Sequence, residues 1–442
     1  MSAWAPAFGR GARASAPALL AYPPPYRAWL ALSNDPDGTE PEAWREVHAL
    51  VWEELALPFA DSFFVASFNP TVPRQVNLAD DPEILSAHPH DTMHGWGDWL
   101  GASERRFHRG DAERAVERLA ALGARPLVWT DHANSPGNLL HRGGTGAVRA
   151  FRDTSGWEYP NGDYALDLAL CAGVRYAWDG DLVEGLVGQD RSVGRREWYR
   201  ARVASPWRAA LRASIDCAAG RARRFLPPNL LDYAPDANRA YRGHAFPDGS
   251  RLYLFRRFGA WARADIDGLA DVLSAGTLRA LEAAGGTAIV YTHLGKRARR
   301  REGEPRHVPP RTRDALERLA ESYAASRILL SATSTLLDYL VLRDHARASA
   351  GVLDFRGDAW RFAPLRAEEL ARFTFGVRYA GREPLAVLCE GAPIACAKER
   401  LDATTVRLSF PEPGAAAARY GRDAARSRAY SPACRSAMAG AP

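Results

Sequence analysis

Short β-branched and apolar runs recur along this chain with helical patterns between them, and that alternation is the strongest constraint on its fold. Trp29–Ser33, Phe63–Phe68, Leu127–Thr130, Val174–Trp178, Leu252–Phe255, Ala288–Thr292 and Ile328–Ser331 are each bounded by turn formers or charges, as short strands are. Asp111–Leu122, Tyr164–Ala172, Arg311–Ala324 and Thr333–Ala346 place apolar residues at the three-and-four spacing of a helix face. Strands alternating with helices predict βα units around a parallel sheet or barrel, an α/β fold. At 442 residues and 47% hydrophobic content, the chain can bury one large α/β core and a smaller unit beside it.

The texture changes at both ends. Residues 1–25, rich in Ala, Gly, Pro and Arg, read as a flexible N-terminal arm. The alternating pattern fills 26–347 and is interrupted by an arginine- and proline-rich insertion around 189–248, expected as a lid over the barrel mouth. Gly351–Phe355, Trp360–Phe362, Phe373–Tyr379, Leu385–Cys389 and Thr405–Phe410 predict a small C-terminal β domain over 348–412. A low-complexity tail occupies 413–442.

The formal charge is +6, yet only Lys296 and Lys398 are lysines, so the positive charge is almost entirely arginine. The densest basic run, Lys296-Arg297-Ala298-Arg299-Arg300-Arg301, is expected as a solvated loop, with binding of phosphate or an acidic partner as the alternative. No basic and aromatic module of a nucleic-acid binder recurs, and no nucleic-acid partner is expected. Five scattered cysteines without metal spacing predict free thiols in a reducing compartment. No stretch reaches the ~20 apolar residues of a membrane span. A cytoplasmic location is the expectation, and the oligomeric state is left open.

Three stretches carry chemistry just beyond strand-like runs. In Ser33-Asn34-Asp35-Pro36-Asp37-Gly38, two carboxylates two residues apart point the same way from an extended chain, so both can face one cavity. Forcing them together is costly unless a cation or a proton lies between them. The second stretch places His88, His90 and His94 around Asp91, and either His88 or His90 can close with His94 on one divalent metal. The third, Tyr291-Thr292-His293-Leu294-Gly295, puts His293 at a strand edge, where it suits protonation of a leaving group. Two histidines and a carboxylate leave open positions for water and substrate, as catalytic zinc sites do. Trp96 and Trp99 follow the histidines as candidate sugar-stacking rings. Asp91 and the polar cluster Asp131, His132 and Asn134 are candidate substrate contacts.

The order Ser-Asn-Asp-Pro-Asp-Gly, then a histidine pair, then a late Thr-His-Leu resembles the polysaccharide deacetylase (NodB-homology) family. The resemblance implies a distorted (β/α)7 barrel that hydrolyses acyl groups, chiefly acetyl, from a carbohydrate substrate. It implies Asp35 as general base, Asp37 with His94 and His88 or His90 as ligands of a divalent ion, and His293 as general acid. Zinc is the expected ion, with cobalt, nickel or manganese as alternatives. This chain has Asp-Pro-Asp where the family has adjacent aspartates, and the family's arginine motif is not evident after the fourth strand. Two other readings stay open: an impaired barrel that only binds glycan, and a glycoside hydrolase working with paired carboxylates.

Overall fold

The computed structural model describes residues 16–72, 74–82, 91–99, 105–131, 137–140, 150–152, 158–203, 205–219, 233, 238–246, 249–296, 307–358, 364–381 and 384–411. Among them, seven parallel strands close into a barrel. They are β1 Ala28–Asn34, β2 Ala60–Phe63, β3 Thr92–His94, β4 Val128–Thr130, β5 Tyr176–Val183, β6 Arg251–Phe258 and β7 Thr287–Thr292. Each pairs with its neighbour in chain order, and β7 returns to β1 in the register Thr287↔Trp29 through Thr292↔Asn34. An eighth strand, β8 Ile328–Ser331, pairs with the first half of β1 (Ile328↔Ala28) on the edge that β2 takes further along (Ser33↔Ala60).

Period-two alternation sorts the strand residues. Leu30 and Leu32 of β1, Val290 of β7 and Leu330 of β8 pack with Leu269 of α6 (Ile266–Val272), Leu281 of α7 (Ala275–Ala284) and Leu316 of α8 (Pro310–Ala324). Across the barrel, Met93, Trp129, Ala177 and Leu254 pack with Val116 of α2 (Arg109–Ala121) and Leu168 of α3 (Leu166–Ala172). The alternate positions therefore face the interior: Ser62, His94, Thr130, Trp178, Arg257 and Tyr291. Extending that parity beyond β1 and β7 brings Asp35 and His293 to the same mouth.

Several strands differ from the sequence expectation. The second strand is Ala60–Phe63 rather than Phe63–Phe68, because Asp61 and Ser62 interrupt the apolar pattern while being fully buried. The three-residue strand Thr92–His94 has too short an apolar run to be read as a strand. The insertion is tied at an unexpected place. Gln189 exchanges backbone hydrogen bonds with Thr287 (2.7 and 2.9 Å), at the end of β7 opposite His293, so its beginning is anchored away from the mouth. Within it, α4 (Arg195–Arg202) and α5 (Pro206–Ala219) pack on a satellite core of Val183, Leu186, Trp198 and Tyr199.

The described residues within 16–24 and 338–411 form a second unit. Its described strands make two four-stranded sheets, one centred on Thr374–Arg378 and Thr405–Ser409, the other on Val352–Phe355 and Ala386–Cys389. The segment expected as a flexible arm contributes here: Ala18–Leu19 pairs antiparallel with Val377 and Arg378, which satisfies backbone groups that a free arm would leave to water. Trp360–Phe362 and the tail from 413 lie outside the described residues. Cys217, Cys389 and Cys396 are free thiols, whereas Cys171 is disulfide-bonded, a departure from the expectation of free thiols throughout. No described helix is long and apolar enough to cross a membrane.

Candidate metal and acid–base site

Asp35 sits one residue beyond β1 and is held before it can meet any ligand. Arg257 of β6 clamps it in a fork, Nη1 to Oδ2 at 2.6 Å and Nη2 to Oδ1 at 3.0 Å, and Ser62 Oγ donates to Oδ1. The guanidinium also donates to Thr130 Oγ1 at 2.5 Å and lies 4.6 and 5.1 Å from the ring centres of Trp178 and Tyr291. Arginine in the interior of a barrel is tolerable only with such a paired, hydrogen-bonded partner. Burial alone would raise the Asp35 carboxyl, but the charge and hydrogen bonds of Arg257, with His293 beyond it, outweigh burial and hold the carboxyl below the ordinary carboxylate range.

Asp37 follows after Pro36, and Gly38 (φ +70°) turns the chain away. One ligand atom each from Asp35, Asp37 and His94 lie within 4.8 Å of one another. His94 Nε2 is 3.9 Å from Asp35 Oδ2 and 3.8 Å from Asp37 Oδ1. These gaps are too long for hydrogen bonds, yet within the ~4.2 Å that two metal–ligand arms of about 2.1 Å can span. His94 Nδ1 lies 3.2 Å from the Thr130 carbonyl, to which a protonated Nδ1 donates. That contact leaves Nε2 as the lone-pair nitrogen, the arrangement in which an imidazole ligates a metal. The donor set fits one divalent ion, with Asp37 and His94 less encumbered than the clamped Asp35.

His293 completes the cluster from β7. Its Nε2 is 3.0 Å from Asp37 Oδ1 and 3.1 Å from the Tyr291 hydroxyl, and its Nδ1 is 3.4 Å from Asp265 Oδ1. Asp265 is the N-cap residue of α6, but its side chain makes no capping bond and serves the imidazole instead. The backbone pins the two together, with His293 N–H donating to Ala264 O at 2.7 Å. Burial pulls the His293 pKa down, but Asp37, Asp265 and Asp35 override it and raise it to about 10. Burial and the same carboxylates push the Tyr291 hydroxyl far upward, so it remains protonated. Lys296, the first residue of the basic run, brings Nζ to 3.6 Å from Asp37 Oδ2.

A second buried network supports this cluster from behind. Asp61 accepts from Asn34 Nδ2 (2.5 Å) and from Trp44 Nε1 (2.9 Å) of α1 (Pro41–His48), and its Oδ2 is 2.7 Å from His48 Nε2 at the end of that helix. Asn34 Oδ1 accepts in turn from the Leu294 N–H at 2.6 Å, joining the end of β1 to the turn that carries His293. That turn has no spare room: a Cβ on Gly295 would lie 2.1 Å from Thr39 Cγ2 and Oγ1. Gly295→Ala is therefore expected to cost about 1–3 kcal/mol, as overpacking does, and to shift the turn. Chemical unfolding measures the cost, and a displaced His293 imidazole signal in NMR reports the shift.

The remaining sequence-derived candidates fare differently. Asp91 is corrected: it precedes β3 at the end away from the mouth, where it accepts from the Ser334 N–H (2.9 Å) and Thr92 Oγ1 (2.8 Å). Its acidic side chain belongs to a backbone-satisfying contact, not to substrate. Trp96 is also corrected, since it is 2% exposed and packs edge-on against Trp129 at 4.9 Å. Trp99 is likewise a core ring against Phe107. Asp131 organises its own loop by accepting from Trp129 Nε1 (2.6 Å), Leu139 N (2.9 Å) and Leu140 N (3.0 Å), so its oxygens are occupied by protein. Burial raises its carboxyl to about 6 against the pull of those donors. His88, His90, His132 and Asn134 lie outside the described residues.

Sequence reasoning missed Arg257, Asp265, Ser62 and Trp261. A faint signal existed for the first, an arginine pair inside the otherwise apolar Leu252–Phe258 run. Trp261 is 58% exposed and meets Tyr291 edge-on at 5.5 Å, two ring contacts from His293. A scan against protein-family models, a search of curated proteins and a search of solved structures each returned no match.

Proposed function

We propose that this chain is a hydrolase that holds one divalent ion and removes an acyl group, of the acetyl class, from a sugar. The observation that carries the proposal is the convergence of Asp35, Asp37 and His94 at the ends of β1 and β3, with His293 of β7 against Asp37. The motif resemblance to polysaccharide deacetylases supports the choice of substrate class.

When bound, the ion, zinc or else cobalt, nickel or manganese, supplies Lewis acidity to an acyl carbonyl and lowers the pKa of a water. Asp37 and His94 are the residues to hold it. Asp35, ionised and fixed by Arg257 and Ser62, accepts the proton of the attacking water. His293, oriented by Asp265, donates its Nε2 proton to the leaving amine or alcohol as the acyl bond breaks. Water oxygen ends on the acid product and the sugar departs protonated.

The histidines among the acids weigh against a glycoside hydrolase. Two carboxylates alone carry out glycoside hydrolysis, which would leave His94 and His293 without a role beside them. Trp261 offers its exposed ring beside the cluster as a platform for a pyranose face. Trp261→Ala is expected to raise KM about three- to tenfold with kcat nearly unchanged, read from steady-state kinetics on an acetylated oligosaccharide.

The deciding experiment combines elemental analysis of the purified chain with acetate release from N-acetylated and O-acetylated oligosaccharides. About one equivalent of metal, acetate release lost on chelation and restored by zinc is the expected result. Reducing ends released without added metal would instead establish a glycosidase, and a metal-free chain inert in both assays would remove the enzymatic reading.

A further inference from the structure

We propose that α5, Pro206–Ala219, seats this protein on the surface of an anionic lipid bilayer. This rests on a different part of the chain from the acid–histidine site and does not depend on its chemistry. Five large apolar side chains are exposed among the described residues, and three of them are Trp207 (65%), Leu211 (50%) and Ile215 (36%). Spaced by four, they form one continuous outward stripe on this 14-residue helix. The opposite face buries Ala209, Ala213 and Asp216, with both alanines in the satellite core of Trp198 and Tyr199. The helix is therefore seated on the fold by small residues and shows its large ones to the outside, the reverse of ordinary burial.

Charge decides what covers that stripe. Arg208 and Arg212 lie along one side of it, and Arg196, Arg200 and Arg202 stand on the neighbouring α4. The two acids of the hairpin are engaged by arginines, Glu197 by Arg191 and Asp216 by Arg195 at 3.3 Å, so they do not offset this field. A second copy meeting this one face to face would bring arginine against arginine. Lipid headgroups of negative charge satisfy both halves of the surface: acyl chains take the apolar stripe, and phosphates take the guanidinium groups. Trp207, with the Arg208 guanidinium 5.3 Å from its ring, suits the headgroup level where indoles concentrate. No described helix is suited to spanning, so the contact is interfacial.

Co-sedimentation of the full chain with large unilamellar vesicles tests this. Binding is expected to vesicles of phosphatidylcholine carrying about one third phosphatidylserine, and to fall sharply in high salt or on pure phosphatidylcholine. The pair W207E/L211E is expected to lower the partition coefficient more than tenfold, and R208Q/R212Q by about fivefold per arginine. These positions are surface-exposed or nearly so, and an unchanged melting curve shows that the fold is intact. Failure to sediment with either vesicle overturns the proposal, as does binding that both double variants leave unchanged. Light scattering that shows a dimer dissolved by W207E/L211E, without vesicle binding, assigns the stripe to a second copy instead.

Discussion

Arg257→Met is expected to lower the unfolding free energy by about 3–5 kcal/mol, the range found when one member of a buried ion pair is removed. The guanidinium is 0% exposed and Asp35 is 1% exposed, so no water replaces the lost partner. The variant keeps side-chain length and apolar packing against Trp178 and Tyr291 but leaves a carboxylate stranded inside the barrel. Asp35→Asn in the same chain regains a good part of the loss, because a neutral amide needs no counter-ion. The pH dependence has a definite sign. Asp35 is held below its ordinary 3.8, so its contribution is present above that pH and disappears as acidification protonates it. The gap between wild type and Arg257→Met is therefore widest near neutrality and narrows in acid. Urea titrations followed by circular dichroism across this range measure it, and a loss below about 1 kcal/mol would show that the clamp is not desolvated.

His293→Gln is expected to lower kcat for acyl release by about 10²–10⁴-fold while leaving bound metal unchanged. Asp37→Ala is expected to lose both. The contrast follows from position. His293 is separated from the His94 side of the cluster by Asp37 and is oriented by Asp265, whereas Asp37 faces both imidazoles. Glutamine keeps a hydrogen-bonding end of similar reach but has no proton to give at neutral pH. Metal content measured on the same preparations as kcat separates the two roles. A His293→Gln enzyme of normal rate would remove His293 as the acid, and Asp37→Ala with full metal occupancy would remove Asp37 as a ligand.

Much of the barrel was legible because its strands alternate and its helices show apolar stripes; β1, β7, β8 and α8 lie within a residue or so of their sequence positions. Asp35, Asp37 and His293 were legible because they follow strand-like runs, the two acids by their spacing of two rather than by residue type, since Asp is common in turns; His94 was legible as one of a cluster of histidines. Arg257 was not, because its partner lies 222 residues away and only barrel closure brings them together. Asp265 reads in sequence as an ordinary helix cap, and nothing local says that its side chain turns toward an imidazole. Asp91 and Trp96 misled for the opposite reason. Proximity in sequence to His94 suggested proximity to substrate, but Asp91 sits at the other end of a three-residue strand and Trp96 points into the helix layer.

The doubled edge of β1 sets how the site opens. β1 is hydrogen-bonded along one side to β7 and along the other to β8 and then β2, so its amides have a partner strand over nearly the whole run. β3, by contrast, is held by two or three residue pairs on each side. Slow amide exchange belongs to the strand that carries the aspartates, and faster exchange to the strand that carries His94. The two halves of the candidate ligand set are therefore mounted on elements of unequal permanence. An ion held between them would act as a staple across the weaker seam, and its removal is expected to be felt first as breathing at His94 while the carboxylates stay in place.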